Sequence, residues 1–183
     1  EGASSKYTYE LCHAAQWEEN HNQSWKLTVS GLMGGHSGAE IDKNRANANS
    51  LLGKFLHGLD EKTDFELISV QGGQKDNAIT REATAEILVL EENVDAVREY
   101  AASVQGAWRE EYAGTDEGIT VTVEDEGKQE VRVLHPTSKE KVIFFLVNVP
   151  YGVQKMSGTI KGLVETSTNI GILKTSENEV MGS

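Results

Sequence analysis

The densest chemistry in the chain is Gly31-Leu-Met-Gly-Gly-His-Ser-Gly38, where four glycines surround an imidazole and a hydroxyl. Glycine lets a backbone approach a ligand closely, so His36 sits where its ring could donate a hydrogen bond to an oxygen gaining negative charge. The plainer alternative is that His36 caps or fills a turn. A serine nucleophile at Ser37 is not expected, because neighbours in a chain rarely face one another and the surrounding residues do not form the G-x-S-x-G elbow. Metal binding needs several donors at set spacings, yet His13, His21, His57 and His135 show no HExxH or carboxylate-paired pattern. His21 with Glu18 and Glu19 reads as a solvated charge run, so no metal site is expected. A second polar loop, Gly72-Gly73-Gln-Lys-Asp-Asn77-Ala-Ile-Thr-Arg81-Glu82, holds an amide and a guanidinium able to meet a peptide backbone or carboxylate, or simply to make a turn. Between the two loops, Asn47 and Asn49 either start a helix or, with Arg45, fix the glycine loop or a ligand.

The elements that must carry these loops follow from periodicity. Trp25 to Val29 alternates as a strand into the glycine loop, and Leu52, Phe55, Leu56 and Leu59 mark one face of a helix beginning near Arg45 or Ala46. Phe65 to Val70 and Ala83 to Val89 read as a strand pair. Val94, Val97, Ala101, Val104 and Trp108 stripe a second helix, and Ile119, Val121 and Val123 alternate as a strand with one wet face. The order β-α-β-β-α-β predicts an α+β fold: a split βαβ (ferredoxin-like) four-stranded antiparallel sheet with two helices on one face. That unit, with an N-terminal connecting segment, occupies residues 1–127. Residues 128–183 then read as a partial second unit of the same kind. In it, Glu130 to Leu134 is a strand, Ser138 is the N-cap of a helix striped by Val142, Phe145, Leu146 and Val149, Pro150 and Gly152 end that helix, and Leu163 to Leu173 is one strand.

Composition bounds the function. The 183 residues carry 17 basic and 29 acidic side chains, a formal charge of −12. That field repels phosphate backbones and anionic lipid, so neither nucleic acid nor membrane is an expected partner. No run of eighteen apolar residues is present, and the single cysteine, Cys12, forbids an internal disulfide, which fits a reducing cytoplasm. The start at Glu1 and the strand-like finish at Glu179 to Ser183 read as a piece excised from something longer.

Several ordered segments carry a resemblance. Lys26 to Gly38, Asn44-Arg-Ala-Asn-Ala-Asn49, Gly72-Gly73 with Asn77-Ala-Ile, Val149-Pro-Tyr-Gly-Val, Met156-Ser157 and Val164-Glu-Thr-Ser-Thr-Asn-Ile-Gly171 together resemble the lid domain of the aminoacyl-histidine dipeptidases (Xaa-His dipeptidases, peptidase D), over roughly Trp25 to Thr175. The resemblance implies a cytoplasmic, two-domain dinuclear zinc metallopeptidase that hydrolyses Xaa-His dipeptides, with zinc-bound hydroxide attacking the peptide carbonyl. Zinc and the general-base glutamate would belong to a catalytic domain of the same polypeptide that is absent here, so this chain alone would be inactive. By the same resemblance His36 is the catalytic, oxyanion-stabilising histidine, and Asn77, Ser167 and Asn169 bind the dipeptide substrate.

The chain also departs from the family pattern. Thr80 replaces a proline and would relax a kink beside Asn77. Cys12 to Ser24 matches poorly and would be only a connection. The family's lid continues past Val180 with a strand bearing a substrate-binding arginine, and without it Leu163 to Leu173 would be an open edge through which copies could pair as a homodimer. Two rivals remain: a free-standing α+β module that binds a small molecule or dimerises without catalysis, and the lid of a related amidohydrolase with another substrate.

Overall fold

The computed structural model describes residues 9–18, 23–128, 131–177 and 179–183. In chain order the elements are β1 (Tyr9–Glu18), β2 (Gln23–Ser30), β3 (Gly35–His36), α1 (Ser37–Glu40), α2 (Ala48–Asp60), β4 (Glu66–Gly72), β5 (Ala78–Ile79) and β6 (Ala83–Val89). There follow α3 (Val94–Glu111), β7 (Thr120–Lys128), β8 (Val131–Leu134), α4 (Pro136–Asn148), β9 (Gly152–Met156), β10 (Val164–Thr168), β11 (Leu173–Thr175) and β12 (Glu179–Gly182).

The expected β-α-β-β-α-β unit is present as β2, α2, β4, β6, α3 and β7, with strands in the order β7-β2-β6-β4. The central pairing is in register over β2, Trp25 opposite Ile87 and Leu27 opposite Ala85, so the odd-numbered apolar residues all reach one face. On that face Leu52, Phe55, Leu56 and Leu59 of α2 are fully buried, joined by Val97, Ala101 and Trp108 of α3. The opposite face carries Thr28, Thr84 and Thr122 side by side, as the wet half of the alternation requires. Two glycines let the helices come close: a Cβ at Gly53 would run into Leu146 of α4, and one at Gly58 into the Tyr100 hydroxyl of α3.

The sheet does not stop at four strands. It continues β4-β11-β12-β1-β8, giving eight strands, and β8 also runs beside β4. Three expectations are corrected here. The segment from Cys12 is no mere connection: Tyr9–Glu18 is a strand that pairs with β12 through Tyr9 and Gly182 and with β8 through Trp17 and Arg132. Leu163 to Leu173 is not one open-edged strand. Val164–Thr168 folds back on Gly152–Met156 as a separate hairpin, while Leu173–Thr175 lies between β4 and β12, where its backbone is paired on both sides. Ser138 is not the N-cap of α4. His135 caps it through Nδ1, which accepts from the Thr137 N–H at 3.2 Å, with Pro136 in the first turn, where its missing N–H leaves no helical bond unmade. The polar run Ser176-Glu-Asn178, which reads as a turn after the last strand, lies partly outside the described residues. Among those described, no helix is long and apolar enough to cross a membrane.

Candidate functional site

The glycine loop is shaped by positive φ angles at Gly31, Gly34 and Gly35, conformations that other residues resist. It ends in β3, which pairs antiparallel with β5, placing Gly35 opposite Ile79 and His36 opposite Ala78. Ser37 N–H also donates to the Asn77 carbonyl at 3.0 Å, so the two polar loops are joined along their backbones. His36 is exposed and is the N-cap of α1: its Nδ1 accepts from the Gly38 N–H at 3.0 Å. A backbone N–H can only donate, so Nδ1 supplies a lone pair and the neutral ring carries its proton on Nε2. The turn-capping and donor readings of His36 are therefore compatible, because the cap uses one nitrogen and leaves an N–H on the other.

The backbone under His36 is held by an ion pair. Glu40 accepts the His36 N–H at 2.9 Å through Oε2 and pairs through Oε1 with Arg45 Nη1 at 3.0 Å, and Arg45 donates on to the Gly34 carbonyl at 2.5 Å. The His36 N–H, aided by the Arg45 charge and opposed by partial burial, holds the Glu40 carboxyl below the usual carboxylate range. The φ of +141° at Gly35 is what asks for glycine there, and a Cβ would also crowd the ends of this pair. Tyr151, at the base of the β9–β10 hairpin, donates its hydroxyl to the Arg45 carbonyl at 2.8 Å. Burial pushes that phenol well above the ordinary tyrosine range.

The Asn77 loop is tied down from below. Asn47 is the N-cap of α2, its Oδ1 accepting from Asn49 N–H at 2.9 Å and Ser50 N–H at 3.3 Å, so the helix starts at Ala48 rather than at Arg45 or Ala46. Its amide nitrogen donates to Asn169 Oδ1 at 3.1 Å and to the Ile170 carbonyl at 3.0 Å. Asn169 in turn donates to the carbonyls of Asp76 at 3.2 Å and Ala78 at 2.9 Å, straddling Asn77. Hydrogen bonds oppose the relaxation expected of Thr80. Buried, its hydroxyl accepts from Asn49 at 3.1 Å and lies 3.1 Å from the Ile170 carbonyl, while its own carbonyl accepts Ala48 N–H, so hydrogen bonds do what proline's ring would have done. Arg81 joins the two loops within the chain: its Nε donates to the Leu32 carbonyl at 3.4 Å. An open depression of about 760 Å³ runs along this loop, lined in part by Gly73, Lys75, Thr80, Arg81 and Lys174.

The structure thus gathers His36, Asn77 and Asn169, with His36 and Asn77 exposed on adjoining segments and Asn169 beneath them. Ser167 stands apart, exposed in β10 opposite Val153. One residue of the site escaped sequence reading. Asp116 follows α3 in Gly114-Thr-Asp-Glu-Gly118, which reads as an ordinary polar turn, yet it is buried and accepts from two backbone N–H groups, Met33 at 2.7 Å and Ala46 at 2.7 Å. Nothing in its local pattern marks it, since both partners lie at least 70 residues away. Among the described residues no group of three His, Cys, Asp or Glu side chains could hold a metal ion.

A four-stranded antiparallel unit with its helices on one face, opening into this loop, is the architecture of a domain family. Residues 27–116 match the peptidase dimerisation domain. The chain is 36% identical over 158 residues to the cytosol non-specific dipeptidase of Escherichia coli (strain K12), a match covering 86% of this chain and 32% of that protein. Its fold superposes on the crystal structure of aminoacylhistidine dipeptidase from Vibrio alginolyticus with a TM-score of 0.89 and 32% identity, covering 96% of this chain and 35% of that one. The chain thus resembles the peptidase dimerisation region of the peptidase D-like dipeptidases, and it spans about a third of the length of the relatives it matches.

Proposed function

We propose that this chain is the substrate-covering lid of a cytoplasmic dinuclear zinc dipeptidase, its main strands joined in one sheet across the expected boundary at residue 127. His36 donates an Nε2–H hydrogen bond to the oxygen that becomes negative when the scissile carbonyl turns tetrahedral. Asn77 and Asn169 shape the surface that meets the dipeptide backbone, and Ser167, set apart on the β9–β10 hairpin, offers a separate polar contact. Both zinc ions and the rest of the chemistry belong to the catalytic domain of the same polypeptide, so this piece alone does not turn over substrate. Homodimers of the whole protein fit the dimerisation-domain match.

The observation that carries the reading is the state of the His36 ring. It is exposed on a rigid glycine loop beside Asn77, with Nδ1 occupied by Gly38 N–H and one free donor outward. His36→Ala in the full-length protein lowers kcat by roughly 10² to 10³, the scale of one lost oxyanion donor, and leaves zinc content unchanged. Wild-type turnover in that variant would remove the assignment. We read the substrates as Xaa-His dipeptides, and the name of the Escherichia coli relative favours a broader second reading. Comparing kcat/KM for an Xaa-His dipeptide, a dipeptide without histidine and an N-acyl amino acid separates these two readings and a related amidohydrolase.

A further inference from the structure

The segment bearing His36 leaves β2 at Gly31 and does not rejoin the main sheet and its helices until α2. A loop of that length positions a donor only if something fixes its ends. The loop has no disulfide and little apolar anchoring: within 33–46 only Ile41 and Ala46 are buried hydrophobics. One side chain holds both ends. Asp116 spends Oδ1 on the N–H of Met33, three residues before His36, and Oδ2 on the N–H of Ala46, which leads into the Asn47 cap. Both bonds are 2.7 Å, short for an amide donor, and a carboxylate is the one protein side chain that presents two acceptors this close together with no donor to misplace. The Glu40–Arg45 pair spans the loop's middle but is partly exposed, whereas Asp116 is shielded from water beneath it.

We propose that Asp116 is a positioning residue for His36: its carboxylate staples the two ends of the His36 loop and so sets where the imidazole can reach. The proposal rests on the reading of His36 as the oxyanion donor. Asp116 itself lies under the loop and touches no reacting atom. Asp116→Asn keeps the shape but turns an NH₂ toward one of the two backbone N–H groups, so one end of the loop comes loose while the sheet is untouched.

The test is a double-mutant cycle in the full-length protein, with initial rates on an Xaa-His dipeptide for wild type, Asp116→Asn, His36→Ala and the double variant. We expect Asp116→Asn to lower kcat about 10- to 100-fold with KM changed less, as displacement of a catalytic group by an ångström or so does. In the His36→Ala background it should cost less than about twofold, because there is no donor left to misplace. A general structural defect would lower activity equally in both backgrounds, and that additive result, or wild-type kcat in Asp116→Asn, overturns the proposal. Wild-type kcat in His36→Ala overturns the donor reading instead, and this proposal falls with it. Amide exchange on the unmutated chain needs no variant to fold. Met33 and Ala46 amides should exchange at least tenfold more slowly than those of Gly158 and Lys161 in the exposed hairpin turn, and equal rates mean there is no staple.

Discussion

Replacing Asn47 by alanine tests how the lower half of the site is built. The side chain makes four hydrogen bonds: two accepted at the start of α2 and two donated, to Asn169 and to the Ile170 carbonyl. Losing an asparagine N-cap costs about 1 kcal/mol. The two donated bonds are worth about 0.5–1 kcal/mol each, toward the low end, because the Ile170 carbonyl keeps its contacts with Asn49 and Thr80 and Asn169 is only half-buried. The sum is about 2–3 kcal/mol, or a fall of about 4–12 °C in Tm for a chain this size. Asn47→Ser separates the parts, since a serine hydroxyl still caps the helix but reaches neither acceptor, and it should cost about half as much. Thermal and urea unfolding followed by circular dichroism measure both. A loss under about 0.5 kcal/mol for alanine, or equal losses for the two variants, would refute the division between cap and tether. A local signature should accompany the global one: with Asn169 freed from Asn47, amides of the 73–79 loop exchange faster while those of β2 and β6 do not.

The remaining predictions use other parts of the fold. Gly53→Ala, which ordinarily stabilises a helix by up to about 1 kcal/mol, should instead destabilise by about 1–3 kcal/mol because the new methyl meets Leu146 across the α2–α4 contact, and a raised urea midpoint would contradict that packing. Glu40 has a lowered folded-state pKa, so the support it gives the loop is complete above the ordinary carboxylate range and lost as pH falls through the lowered value. The His36 amide resonance should follow that titration, and Glu40→Gln should abolish it. Glu126 runs the other way. Burial, then Glu86 and Glu124, raise its pKa against the pull of Lys26, so its charged form is a penalty above the folded pKa. Glu126→Gln should raise stability at pH 7 and lose that advantage as the medium is acidified. Tyr151 should show no phenolate absorbance at pH 10.5, where a free tyrosine is largely ionised, and Tyr151→Phe should cost about 0.5–1.5 kcal/mol for the bond to the Arg45 carbonyl.

Which parts were readable in advance follows from the range of the interactions that fix them. The stripes of α2 and α3 and the alternation of β2, β6 and β7 are local consequences of burying one face, and each is where periodicity puts it. Cys12 to Glu18 looked featureless because its strand identity comes from pairing with β12 and β8, both more than a hundred residues along the chain. Leu163 to Leu173 departs from the single strand its sequence suggests for a related reason. Its polar middle, Thr166 to Asn169, reads as a wet strand face, but it is the point at which the chain leaves the hairpin and Asn169 turns under the Asn77 loop. Serine is the commoner cap, which makes Ser138 the expected N-cap of α4. Histidine can do the same with Nδ1, and this chain uses it twice, at His36 and at His135.

That double use of histidine bears on how the site tolerates change. At both positions the ring accepts a backbone N–H two residues ahead, but only His36 sits between glycines and beside a second loop. Four of the bonds that hold the His36 and Asn77 loops join a side chain from outside both loops to loop backbone, Asp116 to Met33 and Ala46 and Asn169 to Asp76 and Ala78, and Arg81 of the second loop reaches the Leu32 carbonyl of the first. Loop backbone survives most substitutions of the loop's own side chains, whereas a lost anchor releases it. An alanine scan of the full-length protein should therefore find little loss at the exposed positions Met33, Asp42, Lys43 and Lys75, and large loss at Asp116, Asn47 and Asn169, which anchor the two loops from outside them. A scan in which exposed loop side chains other than His36 and Asn77 dominated would mean that substrate is gripped by the loop surface, and the anchoring scheme would not be what sets activity.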